Sequence, residues 1–247
     1  MKEPDWSPIR LEGLRIGVIA DVHIPYHDAA ALELAVSYLK DCGIDQLVIL
    51  GDWMDFYSIS RFDKERPLNN DLSVEITAGR EGLEWVRECF PDIPIKWKEG
   101  NHDDRLKRFI RKKVPELSNL GVLTTSHVFG LDKLSIDFIT PDRHLFVHEM
   151  ALVHGHEVMR SGGRNPAQRL FDKTRCSAMC GHFHRTDEYW HRSMDDTFER
   201  TYTLGALCSL TPEYDRHHNW NHGFALIETT PNTYHVQNMR IIDGDIY

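Results

Sequence analysis

At 247 residues, 41% of them apolar and 27% charged, the chain is long enough for one sizeable core and has the composition of an ordinary globular protein. Its formal net charge of −9 argues against a protein that coats nucleic acid indiscriminately, although a local patch can differ. No apolar run approaches the roughly 18–20 residues of a membrane span, the opening MKEPDWSPIR has no apolar signal core, and five cysteines without disulfide-like spacing suit a reducing, cytoplasmic compartment.

The run LRIGVIA (14–20) is short, apolar and β-branched, the mark of a buried strand. Leu32, Ala35, Val36 and Leu39 then recur at i, i+3, i+4 and i+7, which predicts an amphipathic helix. QLVIL (46–50) is a second buried strand. A helix is expected within 74–90, ended by Pro91, and IPIKW follows as a third strand. Leu106, Phe109 and Ile110 give the next segment one apolar stripe. Strand–helix–strand–helix–strand in the first half predicts a parallel sheet with helical crossovers.

The second half reads differently. LSIDFIT, HLFVHE and MALVHG are strand-like runs in quick succession. A helix is expected around 165–173, and strands near 176–180, 201–207, 223–228 and 233–239. A mixed second sheet is expected here. With no internal repeat, low-complexity segment or dividing linker, residues 1–247 are expected to form a single domain. Cys176 and Cys180 lack a second cysteine pair to complete a zinc site and read as packing residues.

Five strand-like runs lead directly into metal-type ligands. VIA runs into Asp21-Val22-His23, VIL into Gly51-Asp52-Trp53-Met54-Asp55, and KWKE into Gly100-Asn101-His102-Asp103. ALV runs into His154-Gly155-His156, and SAMC into Gly181-His182-Phe183-His184. Ligands of open α/β sheets bind beyond the carboxyl ends of the strands, where such loops converge. Carboxylate, imidazole and amide oxygen without thiolate suit two divalent ions such as Mn²⁺, Fe, Zn²⁺ or Ni²⁺. Within Asp-x-His and His-x-His, alternate residues of an extended segment would project to one centre. The glycines before Asp52, Asn101 and His182 would permit tight turns.

This ordered series resembles the motifs of the calcineurin-like metallophosphoesterases from residue 14 to about 210, with every ligand present. The resemblance implies an α/β fold: two mixed β-sheets packed as a sandwich and flanked by helices. It implies that Asp21, His23 and His184 hold one metal, that Asn101, His154 and His182 hold a second, and that Asp52 bridges both. Mn²⁺ is the favoured ion. His102 would be the general acid or phosphoryl stabiliser, with Asp55 orienting its ring. A hydroxide bridging the metals would attack phosphorus in line, and no serine or cysteine fits a nucleophile pattern.

The remaining polar residues read as follows. Asp103 suits a helix N-cap or first turn. His156 is an alternative to His154, the first histidine being favoured by the resemblance. His27 and His148 read as loop or packing histidines and Trp220 as core; a substrate cleft is the minority reading for His217 and His218. Residues 105–113 hold six basic residues in nine, either a solvated helix face or a contact for the phosphates of a nucleotide or polynucleotide. Arg105, Arg160 and Arg164 are the candidate substrate contacts. The expected activity is hydrolysis of a phosphomonoester or phosphodiester, with a small nucleotide-type substrate favoured. A nuclease working through 105–113 is the alternative, and a non-catalytic scaffold a distant third because the ligand set is complete. No membrane partner is expected, and the sequence leaves the oligomeric state open.

Overall fold

The computed structural model describes residues 6–61, 71–159, 161–212 and 218–247. The first half contributes strands β1 (Ile9–Arg10), β2 (Arg15–Ile19), β3 (Gln46–Ile49) and β4 (Ile95–Lys98), with helices α1 (Ala29–Asp41), α2 (Leu72–Cys89) and α3 (Arg105–Lys113). The second contributes α4 (Thr125–Val128), β5 (Ile136–Ile139), β6 (Leu145–Val147), β7 (Met150–Val153), α5 (Pro166–Thr174) and β8 (Ala178–Cys180). It ends with β9 (Asp187–Arg192), β10 (Phe198–Thr203), β11 (His222–Thr230), β12 (Thr233–Ile242) and β13 (Asp245–Ile246). Asp28 and Asp71 start α1 and α2, their side chains accepting from Ala31 N at 2.9 Å and Val74 N at 3.0 Å.

Two mixed sheets form a sandwich. One has seven strands in the order β13-β12-β11-β2-β3-β4-β5, the other six in the order β1-β6-β7-β8-β10-β9. Strand periodicity sorts the side chains between layers. Ile16 and Val18 of β2, Val48 of β3, Met150 and Leu152 of β7 and Met179 of β8 meet in the layer between the sheets. Leu47, Ile49, Ile95 and Trp97 face the other way, in one cluster with Leu32, Val36 and Leu39 of α1 and Leu83 and Val86 of α2. Beyond the second sheet, Val153 and Cys180 pack with Leu170 of α5. Cys180 is thus a buried packing residue, while Cys176 is half-buried.

β2 to β5 are parallel, as the first-half pattern predicts, with β5 added from the second half. The halves do not each own a sheet. β11 joins the first sheet antiparallel to β2, with Ala225 opposite Val18, while β1 pairs with β6 in the other sheet. Apolar periodicity marks a strand without naming its partner. β9, DEYWHR, escaped the sequence reading because it is an edge strand of alternating half-buried and exposed residues with no apolar run.

Candidate metal centre

The loops after β2, β3, β4, β7 and β8 meet at one place. Asp21, His23, Asp52, His182 and His184 all have positive φ, between 51° and 70°. The Asp-x-His and His-x-His pairs are therefore not extended segments, as alternation along a strand would have them. The loops turn sharply at each of these five residues, and the left-handed conformation costs about 1–2 kcal/mol per residue. Such strain persists where surrounding contacts over-determine it, commonly at functional sites. Here Asp21 N donates to Gly51 O at 3.1 Å, and His23 N to Asp52 O at 3.0 Å. Gly51 supplies the turn, at φ 90°. Gly100 supplies room: a Cβ there would overlap both the carboxylate and the backbone nitrogen of Asp52.

Two ligand clusters result. Asp21, His23 and His184 bring one ligand atom each to within 4.8 Å of one another, and so do Asp52, His154 and His182. Asn101 completes the second group, its Oδ1 lying 3.2 Å from His154 Nε2. Asp52 faces both clusters. Its Oδ1 accepts from His102 N at 2.8 Å, leaving Oδ2 3.1 Å from His154 Nε2 and 3.7 Å from His23 Nε2. Asp21 Oδ2 accepts from His182 N at 2.8 Å, whereas its buried Oδ1 has no hydrogen-bond partner among the described residues. The nearest groups to that oxygen are His184 Nε2 at 3.4 Å and His23 Nε2 at 3.8 Å.

This donor set fits divalent cations. His154 Nδ1 lies 2.9 Å from the Leu50 carbonyl and donates to it, which turns the Nε2 lone pair toward Asn101 Oδ1 and Asp52 Oδ2. Three acceptors facing one point need a positive charge between them. Likewise the Nε2 atoms of His23 and His184 are 3.2 Å apart and face the orphaned Asp21 oxygen. Without a cation, protons take that place. Burial disfavours the charged His154 imidazole, but Asp52 outweighs it and pushes the pKa up to about 10. Burial likewise works against His184, and Asp21 raises it to about 9. Asp52 and Asp21 also act to raise His182, but burial and the adjacent His154 outweigh them and push it down to about 4, so it is neutral and ready to ligate.

Asp55 and His102 sit beside the first cluster. Asp55 Oδ2 is 3.1 Å from His23 Nδ1 and 3.4 Å from His102 Nδ1, whose closer partner is the Asp55 carbonyl at 3.2 Å. Asp55 thus contacts two rings, and its shorter carboxylate contact is to His23 rather than to His102. Burial would raise this carboxyl, but the two imidazoles hold it well below the usual carboxylate range. Arg105 closes the group, Nη1 donating to Asp55 O at 2.8 Å and Oδ1 at 3.1 Å, and Nη2 donating to His102 Nε2 at 3.0 Å. Burial lowers the pKa of His102 despite the charge of Asp52.

Asp103 is not a helix cap; the cap position of α3 is Asp104, which makes no side-chain cap bond. Fully buried, Asp103 accepts from Asp52 N at 2.9 Å, Met54 N at 3.0 Å, Gly100 N at 2.9 Å and Trp97 Nε1 at 3.1 Å, tying two ligand loops together. Glu157 does the same for the third loop, accepting from His154 N at 3.3 Å and Gly155 N at 2.8 Å while paired with buried Lys98 at 3.3 Å. The sequence reading passes over this pair, whose signal is a lysine, Lys98, at the end of a buried strand. His156 is half-buried beside Glu157, and fully buried His154 is the one that faces Asp52.

Arg160 and His217 lie outside the described residues. Arg164 is exposed, its carbonyl accepting from Arg185 at 2.6 Å. Trp220 is not core. Half-buried, it stands edge-on to His184 with ring centroids 4.2 Å apart and stacks on His218 at 4.4 Å. Among the described residues, no helix is long and apolar enough to cross a membrane.

The sequence profile of the calcineurin-like phosphoesterase superfamily domain matches residues 14–208. The chain is 28% identical over 182 residues to the Gene 54 protein of Mycobacterium phage L5, covering 69% of each chain. It is 25% identical over 248 residues to the Gene 54 protein of Mycobacterium phage D29, covering 93% of this chain and 94% of the relative. Zinc-complexed wild-type Vps29 from Entamoeba histolytica shares the fold at a TM-score of 0.51 and 14% identity, with 94% of this chain and 96% of that one covered.

Proposed function

We propose that this chain, which belongs to the calcineurin-like phosphoesterase superfamily, is a hydrolase of phosphate esters that works with two divalent cations. The observation that carries the reading is Asp52, whose Oδ2 faces the ligand atoms of both clusters. Asp21, His23 and His184 would hold one ion, Asn101, His154 and His182 the other, and Asp52 would serve both. Nitrogen and oxygen donors without thiolate suit Mn²⁺, with Fe, Zn²⁺ and Ni²⁺ as alternatives; the zinc of the structurally similar Vps29 is compatible with that set. When bound, such a pair lowers the pKa of water and neutralises phosphoryl oxygens.

The chain's own groups supply orientation and a proton. Asp55 accepts from His23 Nδ1 and so directs Nε2 into the centre, the usual task of a carboxylate behind a ligating imidazole. His102 stands edge-on to His23, ring centroids 4.4 Å apart, a position from which it would reach a phosphate held at the first cluster. Its Nε2 accepts from Arg105 and so carries no proton in this state; the guanidinium must release that nitrogen, and Nε2 must take up a proton from water, before His102 can donate to a leaving oxygen. Arg105 would make that move toward a phosphoryl oxygen, for which its planar fork is suited. A hydrolysis panel in Mn²⁺ tests the activity: nitrophenyl phosphate, bis-nitrophenyl phosphate, cyclic nucleotides, and single- and double-stranded DNA and RNA. No turnover of any ester by protein carrying two metal equivalents would overturn it.

One observation favours a nuclease as the second reading. Arg108, Arg111, Lys112 and Lys113 form an exposed basic surface on α3, the helix that follows His102. Arg105 belongs to the centre rather than to that surface. The nucleic-acid arms of the same panel decide between the two.

A further inference from the structure

A cleft of about 180 Å³ opens beside the metal centre, with Gly162, Gly163, Phe183, Arg185, Asn219 and Trp220 in its lining. Its two aromatic walls are built from residues that touch the candidate ligands. Phe183 lies between His182 and His184 in the chain, with its ring centroid 5.0 Å from that of His182. Trp220 packs on His184 at 4.2 Å. A phosphate held at the two clusters would therefore have its substituent directed along this wall.

The chemistry of the lining is selective. Alkyl and sugar C–H faces also pack on aromatic rings, but a nucleobase uses both features of this lining, offering a π face to stack and a polar edge to hydrogen-bond. Arg185 and exposed Asn219 provide polar groups for such an edge. Arg185 also donates to the Arg164 carbonyl at 2.6 Å, which fastens the glycine-rich segment against the loop carrying His182 and His184. At Gly162 a side chain would begin 2.8 Å from the Phe183 ring and take up the space over it. The volume is below the roughly 300–1,000 Å³ of pockets for drug-sized ligands, which suits one base rather than two.

We propose that this cleft is a nucleobase subsite, so that the ester hydrolysed carries a nucleoside directly on its phosphate. The inference rests on the phosphoesterase reading and narrows its substrate class. The nucleoside could belong to a free nucleotide or to the end of a nucleic-acid strand; a single subsite serves both.

The test uses the full chain loaded with Mn²⁺ and compares dissociation constants for AMP and for ribose 5-phosphate by tryptophan fluorescence, with equilibrium dialysis as the second measurement. AMP should bind at least about 5-fold more tightly, the lower end of what stacking one base on an aromatic ring supplies. In Trp220→Leu the ratio of the two constants should fall towards one, and Arg185→Ala should lower it part of the way. Because the ratio is read, a variant with weakened metal sites still reports on the base. Equal affinities in the unsubstituted protein overturn the subsite, and so does a ratio unmoved by Trp220→Leu. If AMP is preferred yet no ester is turned over, the subsite stands and the hydrolase reading fails. If esters are turned over without base preference, the subsite alone fails. A short oligonucleotide bearing a terminal phosphate, run beside AMP, separates the sources: tighter binding of the oligonucleotide identifies a strand end, and tighter binding of AMP a free nucleotide.

Discussion

Loading the candidate metal centre should expel protons, one from each cluster. Where protons stand in for cations, Asp52 pushes the pKa of His154 up to about 10 and Asp21 that of His184 up to about 9, against burial. His23 is raised as well, but its Nε2 lies 3.2 Å from that of His184, so only one proton fits between the two rings. Each cluster therefore holds one proton where a cation would bind. At pH 7 removing the His154 proton costs about 3 logarithmic units, about 4 kcal/mol at 1.36 kcal/mol per unit, and removing the proton shared by His23 and His184 adds to that. The product of the two association constants should rise by up to about 100-fold per pH unit above pH 7 and level off once both protons are lost. Calorimetric titration with Mn²⁺ at pH 7, in buffers of different ionisation enthalpy, should show about two protons released per chain. Both pKa values are raised above the unfolded value of about 6.5, so the chelated protein gains stability from them below that pH and loses it as pH rises through 9 to 10. The metal-loaded protein should not show that alkaline loss. A binding enthalpy independent of buffer, or imidazoles titrating near 6.5 in the chelated protein, would refute this account of the centre.

Metal analysis after Mn²⁺ reconstitution should approach two equivalents per chain, and Asp52→Asn should lower that occupancy more than a substitution of Asn101 or His182, since it weakens both sites at once. His102→Ala should keep both metals if its neighbour Asn101 is the ligand as proposed, and lose about 10²–10⁴-fold in kcat, most for esters with high-pKa leaving groups. An equal loss on every ester would assign His102 to phosphoryl stabilisation instead, and full activity would remove it from the mechanism. Asp103→Ala leaves three backbone N–H groups and the Trp97 indole without their acceptor. At about 1 kcal/mol or more per orphaned donor, it should destabilise by at least about 4 kcal/mol in urea unfolding; a change below 1 kcal/mol would mean that water replaces the carboxylate. Charge reversal at Arg108, Arg111 and Lys112 should slow polynucleotide cleavage far more than nitrophenyl ester cleavage if the α3 surface binds strands, an effect that shrinks at high salt. Equal losses on both would exclude that surface.

Much of this was legible from the order of residues alone. Buried parallel strands announce themselves as β-branched runs, and polar residues such as Asp21, Asp52 and His154 stand out at the ends of those runs because nothing in a core requires them. Period-two alternation likewise sorts Val48 and Leu47 to opposite faces of one strand before any partner is known. What the sequence could not carry was pairing across long separations. That β11 lies beside β2 follows from which apolar faces can be buried together, and the edge strand β9 is held by β10 rather than by any pattern of its own. The same limit governs the site. Five motifs predict which residues meet, but the left-handed turns that aim them are fixed by hydrogen bonds from neighbouring loops, and a dipeptide cannot encode those. Asp103 reads locally as a helix start and becomes a buried tie between loops only because β3 and β4 lie side by side. Trp220 reads as core for the same reason: an indole in isolation reports its hydrophobicity, and only packing against His184 places it at the edge of a cleft.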